Sequence, residues 1–174
     1  MGKVIPLDEE IKLANKRYLV SETDAKGVIT YCNDYFTEIS GYKREELIGK
    51  QHNIIRHPDM PRVVFKLLWK RIQSGKNVNA LVKNLAKNEK YYWIFTEFKT
   101  RIDLDTNTVI GYTAHRKTIS HSVVDIIAPL YAKLVEIENE KDMKEAEKYL
   151  TEFLAEKGKD INFVNFLDHV HEFY

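Results

Sequence analysis

The sequence predicts an α+β protein: a five-stranded antiparallel sheet with helices on one face, followed by a C-terminal helical extension. Three observations predict it. Five β-type runs, punctuated by turn residues, lie between residues 18 and 117. One well-formed amphipathic helix pattern stands between the second and third runs. Near residue 120 glycine all but disappears and the apolar residues take up helical spacing. The corresponding division is an N-terminal segment 1–14, a sheet-bearing domain 15–118 and a helical extension 119–174.

The elements follow in order. Tyr18-Leu19-Val20 and Val28-Ile29-Thr30-Tyr31 flank Asp24-Ala25-Lys26-Gly27, which reads as two short strands around a turn. Asn33 can cap a short helix through its side-chain oxygen. Gly41, Gly49 and Glu45-Glu46 then divide the chain into small helical pieces. Pro61 to Ser74 is the best helix of this region. Asp59 is the expected cap, Pro61 suits the first turn, and Gly75 provides a left-handed stop. Val64, Leu68 and Ile72, with Phe65 and Trp69 beside them, form its broad apolar face.

Residues 78–85, 91–102 and 109–117 read as three longer strands, turning at Lys87-Asn88-Glu89-Lys90 and between Asp103 and Thr108. Alternation places Tyr92, Ile94 and Thr96 on one face, and Tyr91, Trp93 and Phe95 on the other, with Phe98 assigned to that second face. In the extension, Val123 to Glu138 is periodic, but Pro129 is expected to break or kink it. Asp142-Met143-Lys144-Glu145 resembles a capping box for a helix closed by Gly158. Its apolar face carries Met143, Ala146, Leu150, Phe153 and Leu154. Phe163, Phe166, Leu167, Val170 and Phe173 mark a last helix. The two amphipathic faces leave open a partner surface or a folding-back onto the sheet.

Composition narrows the function classes. Of 174 residues, 44% are hydrophobic and 30% charged, and 27 basic against 26 acidic residues give a net charge of +1. That balance provides no global field for nucleic acid or anionic lipid. The longest apolar run, Ile126 to Ala132, is too short for a membrane span, and MGKVIPLDEE has no apolar signal core, so a cytoplasmic location is expected. The lone Cys32 excludes an internal disulfide framework and a cysteine-based zinc cluster, and reads as a small buried side chain. His169 and His171 are two residues apart and would not face each other on a helix, so no metal site is expected. No catalytic Cys/His or Ser/His/Asp unit can be assembled from a local signature, and His115 reads as structural; the expectation is a non-enzyme.

One stretch is distinctive: Asn53-Ile54-Ile55-Arg56-His57-Pro58-Asp59-Met60-Pro61, followed by Phe65 and Trp69. Gly41-Tyr42-Lys43-Arg44-Glu45-Glu46-Leu47-Ile48-Gly49 precedes it, and Lys83-Asn84 and Tyr92-Trp93 follow. Over residues 15–118 this pattern resembles a PAS domain, and among PAS domains the aerotaxis-receptor type. The resemblance implies a five-stranded sheet with helices on one face and a non-covalently bound FAD serving as a redox sensor in energy taxis. Such receptors continue into a membrane anchor and a methyl-accepting signalling region. The expectation here is therefore a stand-alone member, like the PAS-only half of the bipartite energy-taxis system of Campylobacter relatives. It would signal to a membrane-anchored methyl-accepting partner, from the cytoplasm or the inner face of the membrane, with a homodimer as one arrangement.

The residues implied for cofactor binding are Asn33, His52, Arg56, His57, Asp59, Trp69 and Asn84. Arg56 matches phosphate oxygens with a permanently charged planar fork. His52 and His57 can donate to phosphate or stack on a ring. Asp59 can hold Arg56, or form a surface pair with it, or cap the next helix. Asn84 offers the donor and acceptor that a flavin's polar edge requires, and Asn33 offers the same or a cap. Trp69 belongs to the core or to the pocket. Asn77-Val78-Asn79-Ala80 stands where the family often has Trp and then Gly, and Cys32 lies outside any motif like that of light-sensing flavin domains, so no photochemical adduct is expected. Two alternatives remain: a haem with His52 or His57 as axial ligand, and a cofactor-free interaction module.

Overall fold

The computed structural model describes residues 4–157 together with residues 163, 166 and 167. The five strands are β1 (Leu19–Asp24), β2 (Ile29–Cys32), β3 (Val78–Leu85), β4 (Tyr91–Asp103) and β5 (Thr108–Lys117). They form one antiparallel sheet in the order β2-β1-β5-β4-β3. The first and last strands of the chain's β elements thus pair in the middle, and the helical segment between β2 and β3 crosses one face.

That segment contains α1 (Asp34–Ser40), α2 (Arg44–Leu47), a 3-10 turn (His52–Ile55) and α3 (Arg62–Gln73). Asn33 caps α1: its Oδ1 accepts from the Phe36 amide at 3.1 Å and the Val20 amide at 3.0 Å, while its Nδ2 donates to the Tyr18 carbonyl at 2.9 Å. Gly41 ends α1 with φ 73°, a conformation glycine adopts without strain. At the sheet's open end, β5 passes so close to β1 that a Cβ on Gly111 would lie 2.1 Å from the Thr23 carbonyl oxygen; glycine is required there.

Strand register assigns the faces. Ser21 opposes Ala114 and Cys32; Arg116 opposes Leu19 and Thr96; Thr96 opposes Ala80; and Tyr92 opposes Asn84. These residues share the inner face, the one covered by α1–α3. Phe98 opposes Val78 and Ala114 and is therefore on the inner face with Thr96, not with Tyr91 and Trp93 as the pattern of aromatics suggested. Strict alternation from Tyr92 through Phe98 decides this.

Two expectations about helices are corrected. Asp59 does not cap α3: Pro61 occupies the cap position, and the Asp59 carboxylate instead pairs with Lys83 at 2.8 Å. Pro129 does not break the tail. Helix α4 (His121–Glu140) runs through it without interruption. Burial of Val124, Ile127, Leu130, Tyr131 and Leu134 outweighs one lost backbone hydrogen bond. The tail folds back: the Tyr131 hydroxyl donates to the Leu81 carbonyl at 2.8 Å, and its ring lies 6.1 Å from Trp93, on the outer face of the sheet. Helix α5 (Met143–Lys157) is capped by Asp142, whose Oδ1 accepts from the Glu145 amide at 2.9 Å, and buries Ala146, Leu150 and Leu154. Phe163 and Leu167 are buried; Gly158, Val170, Phe173, His169 and His171 lie outside the described residues.

Candidate functional site

The inner face of a sheet under helices is expected to be apolar, because each polar group taken there loses its water. Here it carries a row of polar residues. Ser21, Asn84, Thr96 and Arg116 are all buried, Arg116 with 1% exposure. The Arg116 guanidinium donates to Ser21 Oγ at 2.9 Å and to its own strand's Ala114 carbonyl at 3.4 Å, and it lies 5.3 Å from the centre of the Phe36 ring. It forms no ion pair with a carboxylate among the described residues. Burial lowers its pKa to about 10.

His52, on the 3-10 turn, completes this cluster. Its Nε2 faces both Arg116 Nη2 and Ser21 Oγ. A guanidinium can only donate, so Nε2 is the acceptor and the imidazole is neutral. Burial, then the Arg116 charge, hold the His52 pKa at about 3. Two hydroxyls nearby along the face are buried without a hydrogen-bond partner: Thr96 Oγ1, beside Arg116 in the ladder, and Tyr92 Oη, beside Asn84. Burial pushes the Tyr92 pKa up to about 12, opposed by the Arg116 charge and by the Asn84 amide, which lies near Tyr92 Oη without meeting hydrogen-bond geometry. Buried hydroxyls without partners are rare in folded proteins, and two of them on the same face as a buried guanidinium that meets no carboxylate suit a ligand with acceptor atoms.

The motif 53–61 forms a second cluster at the β3 edge. Backbone bridging brings Arg56 against Asn84, so two residues chosen from separate parts of the sequence are adjacent. The Arg56 guanidinium lies over the Phe65 ring, 4.3 Å from its centre, and donates to the Met60 carbonyl at 3.4 Å. It is not held by Asp59. Burial lowers its pKa, opposed by the Glu138 charge. His57 is buried; its Nδ1 accepts from the Asp59 amide at 3.0 Å, and its ring meets Tyr91 edge-on at 6.1 Å. Burial and Lys83 lower the His57 pKa to about 4, Asp59 working against them.

Thus the structure joins His52, Arg56, His57, Asp59 and Asn84 into two neighbouring clusters. It leaves Trp69 apart, 40% exposed, with its ring 5.2 Å from Tyr112 and against Gly27 at the far end of the sheet. It engages both polar side-chain atoms of Asn33, on the cap, on Val20 of β1 and on the Tyr18 carbonyl just before β1. Sequence reasoning missed Arg116, Tyr92, Thr96 and Ser21. The signal was present: Arg116 is in phase with Tyr112 and Ala114 in β5, which is the inward phase.

Residues 29–114 match the family described as the PAS fold. The chain carries a PAS domain. Over 122 residues, 70% of this chain, it is 34% identical to the aerotaxis receptor of Escherichia coli, and 24% identical over 98 residues to the bacterioopsin transcriptional activator of Halobacterium salinarum. The match spans 24% of the first relative and 14% of the second. Among solved structures, the PAS fold here resembles the dark state of the blue-light photoreceptor aureochrome 1 LOV, with TM-score 0.54, 21% identity and 70% and 84% of the two chains covered. It also resembles an RNA-binding light-oxygen-voltage receptor, with TM-score 0.56, 16% identity and 61% and 31% covered. A light-oxygen-voltage domain studied with a flavin analogue gives TM-score 0.54 at 20% identity, over 71% and 87%. At these identities the likeness is one of fold.

Proposed function

We propose that residues 15–118 form a redox sensor that binds FAD without a covalent bond, and that residues 119–174 carry its signal to a methyl-accepting, chemotaxis-type partner in the membrane. The observation that carries this reading is the buried Arg116 guanidinium, without a carboxylate and beside the unpartnered hydroxyls of Thr96 and Tyr92, in a PAS domain similar to an aerotaxis receptor. The light-oxygen-voltage domain studied with a flavin analogue, which shares the fold, supports the same ligand class.

The residues fit a flavin by their donor set. A flavin, when bound, supplies a redox couple in which the ring's charge and protonation change. Arg116 would offer a positive charge to a bound ring that gains electron density, and Phe36 and the inner-face apolar residues keep water from screening that charge. Asn84 presents both a donor and an acceptor, and Tyr92 and Thr96 have free hydroxyl capacity to meet ring heteroatoms. The neutral Nε2 of His52 accepts from Arg116 and so aims the guanidinium. At the β3 edge, Arg56 is placed to meet phosphate oxygens, with Phe65 holding its plane. Ring atoms of His52 and His57 are already engaged as acceptors, which leaves less support for either as a haem ligand.

Purified full-length protein tests this by its visible spectrum, followed by chromatography of the heat-released chromophore. Flavin absorption and a released species running as FAD are expected. A haem Soret band, or a colourless chain that takes up no added FAD, would overturn the reading.

A further inference from the structure

Helix α3 has no cap of its own. Pro61 at its cap position has no side-chain acceptor, and Asp59, the nearest acid, is drawn away to Lys83. Its second residue, Val63, is nevertheless completely buried. The acceptors come from the tail, 75 residues further along the chain. Glu138 Oε1 accepts from the Val63 amide at 2.7 Å, and Oε2 accepts from the Arg62 amide at 3.0 Å and from Arg62 Nε at 3.4 Å.

Glu138 stands where an apolar residue is expected. The inward stripe of α4 runs Ile127, Leu130, Tyr131, Leu134, and the next inward position is this carboxylate, the one buried acid among the described residues. A carboxylate in that stripe costs desolvation unless a positive partner meets it, and a helix N-terminus with two free amides does so.

The helix so capped begins where the motif 53–61 ends. Arg56 donates to the Met60 carbonyl, Met60 Sδ receives the Lys83 amide at 3.2 Å, and the Arg56 guanidinium lies on Phe65 of α3. The plane of Arg56 is therefore set by where α3 starts, and Glu138 sets that start. From this geometry we infer that Glu138 is a positioning residue of the cofactor site: it supplies the cap that α3 lacks and couples the tail helix α4 to the orientation of Arg56. This rests on the proposed flavin reading. Coupling is reciprocal, so FAD binding also tightens α4 against α3.

The experiment uses the full chain and two readouts, FAD affinity by fluorescence quenching and residue-resolved amide hydrogen exchange. In Glu138→Gln, exchange at Arg62 and Val63 accelerates about fivefold, as for loss of a helix cap. FAD affinity weakens while exchange at Ile94 in the sheet is unchanged. Faster exchange with unchanged FAD affinity would overturn the positioning role. The wild-type chain provides a second measurement that no folding defect can obscure: added FAD slows exchange in residues 134–140, and identical exchange with and without FAD would overturn the coupling. Should wild type bind no flavin, the flavin reading falls by itself. Glu138 is then judged by exchange at Arg62 and Val63 alone, where no acceleration in Glu138→Gln overturns the cap.

Discussion

The two faces of the sheet solve burial differently. Beneath α4, the outer face of β3 and β4 presents Leu81, Trp93 and Phe95, and the polar atom brought to it, the Tyr131 hydroxyl, finds the Leu81 carbonyl. Beneath α1–α3, the inner face presents Arg116, Thr96, Tyr92 and Asn84, and leaves one guanidinium without a carboxylate and two hydroxyls without partners. A buried charge without a counter-charge carries a desolvation cost that hydrogen bonds to neutral groups offset only in part, and each orphaned hydroxyl adds about 1–3 kcal/mol. The part of the outer face under α4 is arranged for stability, although further along that face, on β5, His115 Nδ1 is also buried without a partner. The inner face gives up stability and keeps unsatisfied donors, which is the signature of a surface completed by something it binds.

The largest expected effect tests the outer face. Tyr131→Ala removes a buried ring and its hydrogen bond and should lower unfolding free energy by roughly 3–5 kcal/mol, read from urea denaturation. A loss below about 1 kcal/mol would mean that α4 is only loosely packed. A smaller effect sharpens the inner face. His52 and His57 are held at about 3 and about 4, below the ordinary 6.5, because burial and cationic neighbours disfavour their charged forms. The unfolded chain therefore takes up protons first as pH falls. Their contribution is complete above pH 6.5 and declines below it, at up to about 1.4 kcal/mol per pH unit for each histidine. Between pH 6.5 and 5, above the carboxylate range, urea midpoints should fall, and His52→Gln should remove about half of the slope. A flat profile would place both rings in water.

Much of the fold was legible because turn chemistry is local. Gly27, Gly41 and the two hairpin turns divide the chain where the strands and α1 end, and Asn33 caps as its type predicts. What escaped was decided by tertiary contact. Pro129 stays inside α4 because packing on the sheet outweighs one missing hydrogen bond. Asp59 fails to cap because Lys83, 24 residues away, competes for it. Trp69 stays 40% exposed because it lies at the end of the sheet, against Tyr112 and the β1–β2 turn. Of the site, the motif around Arg56 and His57 was readable as a pattern, and so was Asn84. Arg116 was passed over because an arginine near a strand's end reads as surface unless its phase is followed, and Glu138 because a carboxylate in an apolar stripe reads as the stripe's end.

The contrast between the faces can be tested most directly at Arg116. Urea unfolding of wild type and Arg116→Met, each with and without saturating FAD, separates folding from binding. Without FAD the variant should be about as stable as wild type or more so, because removing a buried charge that meets no carboxylate offsets the lost hydrogen bonds to Ser21, Ala114 and His52. The stabilisation that FAD gives wild type should disappear in the variant. A variant several kcal/mol less stable without FAD, or one that keeps the full FAD effect, would contradict the account.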